Sequence, residues 1–185
     1  MKEELRIAIV YGSSRENRQC ERVVAWVRTQ AARHEGLVLD LLDPRVHAPG
    51  QPGAAELAAR IARADAFIVV TPEYNHGYPA PLKALIDGAY REWNAKAAGF
   101  VSYGGSSGGV RAVEQLRQVF AELHVVTMRD AVGFAHVGDR IGADGQLEAT
   151  RHEESAFRKM LLQLRWWAGA LRAARGAAPY QEAVQ

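Results

Sequence analysis

Gly12-Ser13-Ser14-Arg15-Glu16-Asn17-Arg18 has the residue types of an anion site. It follows the apolar run Leu5–Tyr11 and precedes a segment of helical spacing, with Cys20, Val23, Val27 and Ala31 on one side. A strand, a small-residue turn and a helix start bring free backbone N–H groups and the positive end of the helix dipole to one place. Ser13 and Ser14 add hydroxyl donors, and Arg15 adds a planar guanidinium that matches a phosphate. The chemistry predicted is the binding of a phosphate-bearing ligand; the alternative is a plain strand-to-helix turn with a solvated Arg15. The stretch lacks the Gly-Lys-Ser/Thr ending of a triphosphate loop and is not Gly-x-Gly-x-x-Gly.

Two further stretches are unusual. Thr71-Pro72-Glu73-Tyr74-Asn75-His76-Gly77-Tyr78-Pro79 is polar, aromatic and punctuated by prolines that fix φ. A rigid loop with aligned amides suits a ligand edge with mixed donors and acceptors, such as a flavin or pterin; a turn built from ordinary turn-formers is the alternative. Ser102-Tyr103-Gly104-Gly105-Ser106-Ser107-Gly108-Gly109 has four glycines in six positions, so backbone can pass close to a flat ligand.

The elements that must position these stretches alternate along the chain. Apolar runs at Leu5–Val10, Leu37–Leu42, Ala66–Val70 and Ala97–Tyr103, with a weaker one at His124–Val132, read as strands buried on both faces. Helical periodicity falls at about 17–33, 54–64, 80–90, 107–122 and 151–175. Thr150 with Glu153 makes a capping box, and Phe157, Met160, Leu161, Leu164, Trp167 and Leu171 form the last helix's core stripe. Residues 134–149 read as a long loop or small hairpin. This predicts an α/β doubly wound, five-stranded parallel sheet with helices on both faces, in the flavodoxin-like order 2-1-3-4-5. One domain spans 1–176, and a frayed tail spans 177–185. In such sheets ligands sit beyond the carboxyl ends of the strands at the switch point, beside strands 1 and 3. All three stretches fall at that end.

Composition narrows the class. The chain has 185 residues, 48% hydrophobic and 24% charged, which suits one globular domain. A net charge of +2 with scattered basic residues does not argue for nucleic acid. No apolar run approaches the ~20 residues of a membrane span, and the start of the chain has no signal-peptide pattern. The single cysteine, Cys20, excludes an internal disulfide framework and shares a face with Val23 and Val27, a packing role. A cytoplasmic location is expected.

Together, G-S-S-R-x-x-R, T-P-E-Y-N-H-G-Y-P-A-P-L-K-A-L-I-D and Y-G-G-S-S-G-G-V-R-A resemble the NAD(P)H-dependent FMN reductase family, which includes flavin, quinone, chromate and azo reductases. The likeness covers about residues 5–135, and the P-E-Y-N segment with the helix after it is its most specific part. The resemblance implies FMN as cofactor and NADPH or NADH as electron donor. The acceptor would be a small molecule: a flavin, quinone, azo compound or metal oxyanion. By the same resemblance Ser13, Arg15, Arg18 and Gln19 would hold the FMN phosphate. Pro72, Glu73, Tyr74 and Asn75 would line the isoalloxazine edge, with Ser102, Gly104, Gly105 and Ser106 on the other side of the ring. It also implies a homodimer or homotetramer.

No catalytic triad or metal spacing is present in the sequence, which fits hydride transfer, where the protein supplies orientation and electrostatics. His76 and Tyr78 are candidate substrate contacts; hydrogen bonding to backbone and packing at a subunit contact are their alternatives. Trp93 is expected at a subunit contact, and Trp26, Trp166 and Trp167 in the core or on helix faces. The competing function classes are a flavodoxin-type electron carrier and a binder that has lost its flavin. Arg15, Arg18 and the +2 charge argue against the carrier, whose surface would be strongly acidic.

Overall fold

Apolar residues dominate the runs that become strands. β3 (Ala66–Pro72) is buried at every position, and β4 (Ala97–Gly104) at all but the last. Strands covered on both faces need this composition. A computed structural model describes residues 4–184 of the chain. Met1–Glu3 and Gln185, the ends of the expected domain and tail, lie outside the described residues.

With β1 (Leu5–Tyr11), β2 (Leu37–Leu42) and β5 (Val126–Thr127), the strands form a parallel sheet in the order β2-β1-β3-β4-β5, as expected. Alternate residues face opposite cores. Ile7, Ile9, Ile68 and Val70 pack with α1 (Cys20–Ala31) and α6 (Arg151–Ala177). Ala8, Val10, Phe67 and Val69 pack with α3 (Leu57–Arg63), α4 (Ala80–Asp87) and α5 (Val110–Glu122). Cys20 is wholly buried on the first side, and burial pushes its thiol up to about 11. No helix among the described residues is long and apolar enough to cross a membrane.

The fifth strand is not one run. It divides into β5 (Val126–Thr127) and β6 (Val132–Ala135), both parallel to β4. From Ala98 to Val101 β4 advances three residues, while from Thr127 to Val132 its neighbour advances five. The two extra residues break the ladder, and polar partners from both neighbouring helices hold the segment between the two strands. Asp130 accepts from Lys159 (3.2 Å) and Gln163 (2.5 Å) of α6, and Arg117 of α5 donates to the Met128 and Arg129 carbonyls.

Two aromatic placements differ from expectation, those of Trp93 and Trp167. Trp93 is no subunit contact: the 3₁₀ turn Arg91–Trp93 folds it into the core, fully buried, with its indole N–H on the Ile86 carbonyl at 3.1 Å. Its ring lies 4.4 Å from that of Phe67. Trp167 leaves the core stripe of α6, and Ala168 takes the inward position. Trp166 and Trp167 instead pack edge-to-face on the outer surface. Trp26 is buried between Phe134 and Phe157.

The capping box at Thr150 and Glu153 is formed. Residues 134–149 hold a 3₁₀ turn (Val137–Arg140) and a small hairpin closed at Ile141 and Leu147. The tail expected to fray carries one further turn, α7 (Tyr180–Ala183). Its Tyr180 hydroxyl and His124 Nδ1 are 2.6 Å apart. A second short helix unforeseen in the sequence, α2 (Pro44–His47), follows β2.

Candidate functional site

Three loops meet at the carboxyl ends of β1, β3 and β4. β1 ends against β3: the Gly12 N–H donates to the Val70 carbonyl at 2.7 Å, and a Cβ on Gly12 would sit 2.7 Å from Thr71 Cα. Only glycine fits there, so the first loop leaves the sheet at the point where strand order reverses.

The loop's next four carbonyls are all held by guanidinium groups. Arg18 Nη1 donates to the Ser13 carbonyl. Arg45 donates from Nε to Ser14 O (3.1 Å) and from Nη2 to Arg15 O and Glu16 O (2.8 Å to the latter). In a trans peptide the N–H points opposite the preceding C=O. The amides of Ser14, Arg15, Glu16 and Asn17 therefore face away from the two arginines. Among the described residues, those of Ser14, Glu16 and Asn17 meet no acceptor, and that of Arg15 has only a 3.4 Å contact with Ser13 Oγ. Consecutive free amides make an anion-binding concavity. That donor set fits the phosphate of FMN.

Around this concavity the expected residues divide into two groups. Ser13 is buried, with its Oγ 2.9 Å from the Tyr74 hydroxyl. The exposed Arg15 lays its guanidinium over the Tyr74 ring, 3.7 Å from the centroid. These three residues join the first and second loops. Arg18 does not face the concavity. Its covered side chain is spent on Asp43, Glu21 and the Ser13 carbonyl. Gln19 sits at the start of α1, and its side-chain oxygen accepts from Arg22 at 2.9 Å.

The second loop is a hairpin. Tyr74 and Gly77 exchange backbone bonds of 2.9 and 3.0 Å across Asn75 and His76. Both central residues have positive φ, 51° and 67°, as a primed two-residue turn requires. This leaves the Asn75 and His76 side chains exposed at the tip, while Tyr78 packs half-buried on the α4 side of the sheet. Pro72 pairs with Tyr103 at the end of β3. The Glu73 carboxylate is engaged within the chain. It accepts from the Arg111 amide (3.0 Å) and Arg111 Nη1 (2.7 Å). Burial would raise its pKa, but these donors outweigh it and hold the carboxyl below its ordinary value. Gln115, one turn along α5, donates to the His76 carbonyl at 3.2 Å. The helix start thus carries the second loop.

In the third loop Ser102 is buried and turned inward, donating to the Gly108 carbonyl at 2.8 Å. Gly109, at φ 90°, lies so close that a Cβ would stand 2.7 Å from Ser102 Cβ. Gly105 is different. It has no positive φ, and a Cβ there would meet nothing within 4 Å. No neighbour among the described residues demands glycine at Gly105, which leaves open space beside Gly104 and Ser106 for a flat ligand.

Asp43, Arg45, Arg111 and Gln115 are brought to the site by the fold and lie outside the residues expected there. Asp43-Pro44 was a readable signal: a capping residue with proline at N1, directly after strand 2. Burial raises the Asp43 pKa, but Arg18 and the Arg45 amide outweigh it and keep the carboxyl low. A cavity of about 610 Å³ lies elsewhere, near the amino ends of β4 and β5. Its Arg175 already donates to the Ala95 carbonyl, and the rest of its lining is mostly aliphatic. Among the described residues no group of three or more His, Cys, Asp or Glu could hold a metal ion.

A family model described as NADPH-dependent FMN reductase matches residues 5–139, which include all three loops. An NAD(P)H-dependent FMN reductase of Schizosaccharomyces pombe is 33% identical over 168 residues, covering 80% of this chain and 82% of that protein. A probable NADPH:quinone oxidoreductase of Oryza sativa subsp. japonica is 33% identical over 152 residues, 78% and 77% of the two chains. Among solved structures, the flavoenzyme NAD(P)H:(acceptor) oxidoreductase FerB from Paracoccus denitrificans shares the fold. Its TM-score is 0.68 at 23% identity, covering 88% of this chain and 97% of that one.

Proposed function

This chain belongs to the NADPH-dependent FMN reductase family, and from that premise we propose how its three loops serve an FMN-dependent NAD(P)H oxidoreductase. The amides of Ser14–Asn17, the Ser13 hydroxyl and the Arg15 guanidinium hold the phosphate. Pro72, Tyr74 and Asn75 lie along one side of the ring, and Gly104, Gly105 and Ser106 along the other. Arg18, Glu73 and Ser102 act behind them, fixing the loops through the bonds described. When bound, FMN supplies the redox chemistry, taking electrons from a nicotinamide nucleotide and passing them to a small acceptor. The chain's part is to orient the ring, leave one face open and offer backbone dipoles to the negative charge that develops there.

The acceptor class is a flavin, quinone, azo compound or metal oxyanion, meeting the protein at the exposed His76 and beside Tyr78. The protein works in the cytoplasm as a homodimer or homotetramer. The exposed Leu162, Trp166 and Trp167 of α6 are the candidate contact in place of Trp93.

The observation that carries this reading is the set of outward amides after β1. Titration of apoprotein with FMN and riboflavin, followed by flavin fluorescence, tests it. FMN should bind at least about tenfold more tightly, the worth of one charge-assisted hydrogen bond. Equal affinities would remove the phosphate from this loop.

A further inference from the structure

Arg45 stands out among the arginines near the first loop. It lies on α2, in a different part of the sequence from the loop it touches. It spends three donor contacts on three consecutive carbonyls, those of Ser14, Arg15 and Glu16. Among the described residues no carboxylate lies within ion-pair distance of it, whereas the Arg18 charge is met by both Asp43 and Glu21. A planar fork spanning adjacent carbonyls is something a guanidinium does and an ammonium does not.

We propose that Arg45 is a positioning residue of the phosphate site: by holding three carbonyls on its own side, it aims the following amides at the anion. Asp43 sets its place. One carboxylate oxygen accepts the Arg45 amide at 2.9 Å and Arg18 Nη1 at 2.8 Å, so the same side chain anchors both arginines behind the loop. Arg18 fixes the first carbonyl and Arg45 the next three. The contribution of Arg45 to the anion is therefore geometric, through the carbonyls it holds, since Asp43 and Glu21 balance the charges of Arg18 and Arg45.

This inference rests on FMN phosphate occupying the loop. The test compares wild type, Arg45→Ala and Arg45→Lys, with dissociation constants for FMN and riboflavin measured by fluorescence. Thermal unfolding of each protein checks that it is folded. In Arg45→Ala the FMN constant should rise about tenfold or more, with that for riboflavin changing less than about twofold. Arg45→Lys keeps the charge without the fork and should fall between. In ¹⁵N spectra, the Ser14, Glu16 and Asn17 amides should shift on adding FMN to wild type and shift much less in Arg45→Ala. If FMN and riboflavin lose affinity equally, or neither does, Arg45 does not position the phosphate site. If wild type itself shows no preference for FMN, the phosphate assignment fails, and this inference with it.

Discussion

Glu73→Gln tests whether the second and third loops are held as one unit. The carboxylate accepts from the Arg111 amide at 3.0 Å and from Arg111 Nη1 at 2.7 Å, while the Glu73 N–H donates to the Tyr103 carbonyl at 3.0 Å. Glutamine keeps the shape and one acceptor but loses the charge. Hydrogen bonds to charged groups contribute about 1.5–3 kcal/mol against about 0.5–1.5 for neutral ones. Two such bonds are weakened, and the one to the half-exposed Arg111 side chain is partly screened. The variant should lose about 1–2 kcal/mol at pH 7. The sign of the pH dependence follows from the lowered carboxyl. The unfolded chain binds this proton at the ordinary value of 4.5, and the native chain only at lower pH. The stabilisation is therefore complete above the unfolded value and disappears as pH falls through the folded one. Urea unfolding of both proteins from pH 7 to pH 3 should show a gap that narrows in acid. Flavin affinity should fall equally for FMN and riboflavin, because the clasp acts near the ring and not the phosphate. A gap that stays constant with pH, or no gap at pH 7, would refute the clasp.

Arg15→Ala should weaken FMN far more than riboflavin, about ten- to 150-fold by titration; equal losses would move Arg15 off the phosphate. Gly105→Ala should leave the urea midpoint unchanged and lower flavin affinity, since its Cβ meets only open space within the chain; an unaltered affinity would show that the ring does not approach there. Trp93→Ala should cost about 3–5 kcal/mol in urea unfolding, and the sedimentation coefficient of the folded protein should not change, because the ring is core. Initial rates at several acceptor concentrations should give parallel double-reciprocal lines, since nucleotide and acceptor share one open face; intersecting lines would require both bound together.

Legibility of this chain follows how local each feature is. β1, β3 and β4 are short apolar runs between turn signals, and burial on both faces writes them plainly in the sequence. The strand order followed from handedness and strand count. The fifth strand was harder because Asp130 and the Met128 and Arg129 carbonyls answer groups on α5 and α6, so its break is tertiary. Trp93 misled for a related reason. A tryptophan just past a helix looks exposed until the turn that returns it to Phe67 is known. At the site, the three loops were visible from composition, but the division of labour within them was not. Arg18 and Glu73 carry ligand-binding residue types and are consumed by Asp43 and Arg111, partners 25 and 38 positions away. Arg45 lies about as far from its loop, 29 to 31 positions. No local pattern encodes such pairs.

Whether this chain alone carries electrons from a nicotinamide nucleotide to FMN is tested most directly by anaerobic mixing of the FMN-loaded protein with NADPH, and separately NADH, while the oxidised-flavin absorbance is followed in a stopped-flow cell. With no other protein present, at least one nucleotide should bleach that absorbance, and addition of a benzoquinone should restore it. Flavin that binds but stays oxidised with both nucleotides would contradict the claim and leave an electron carrier dependent on a separate reductase.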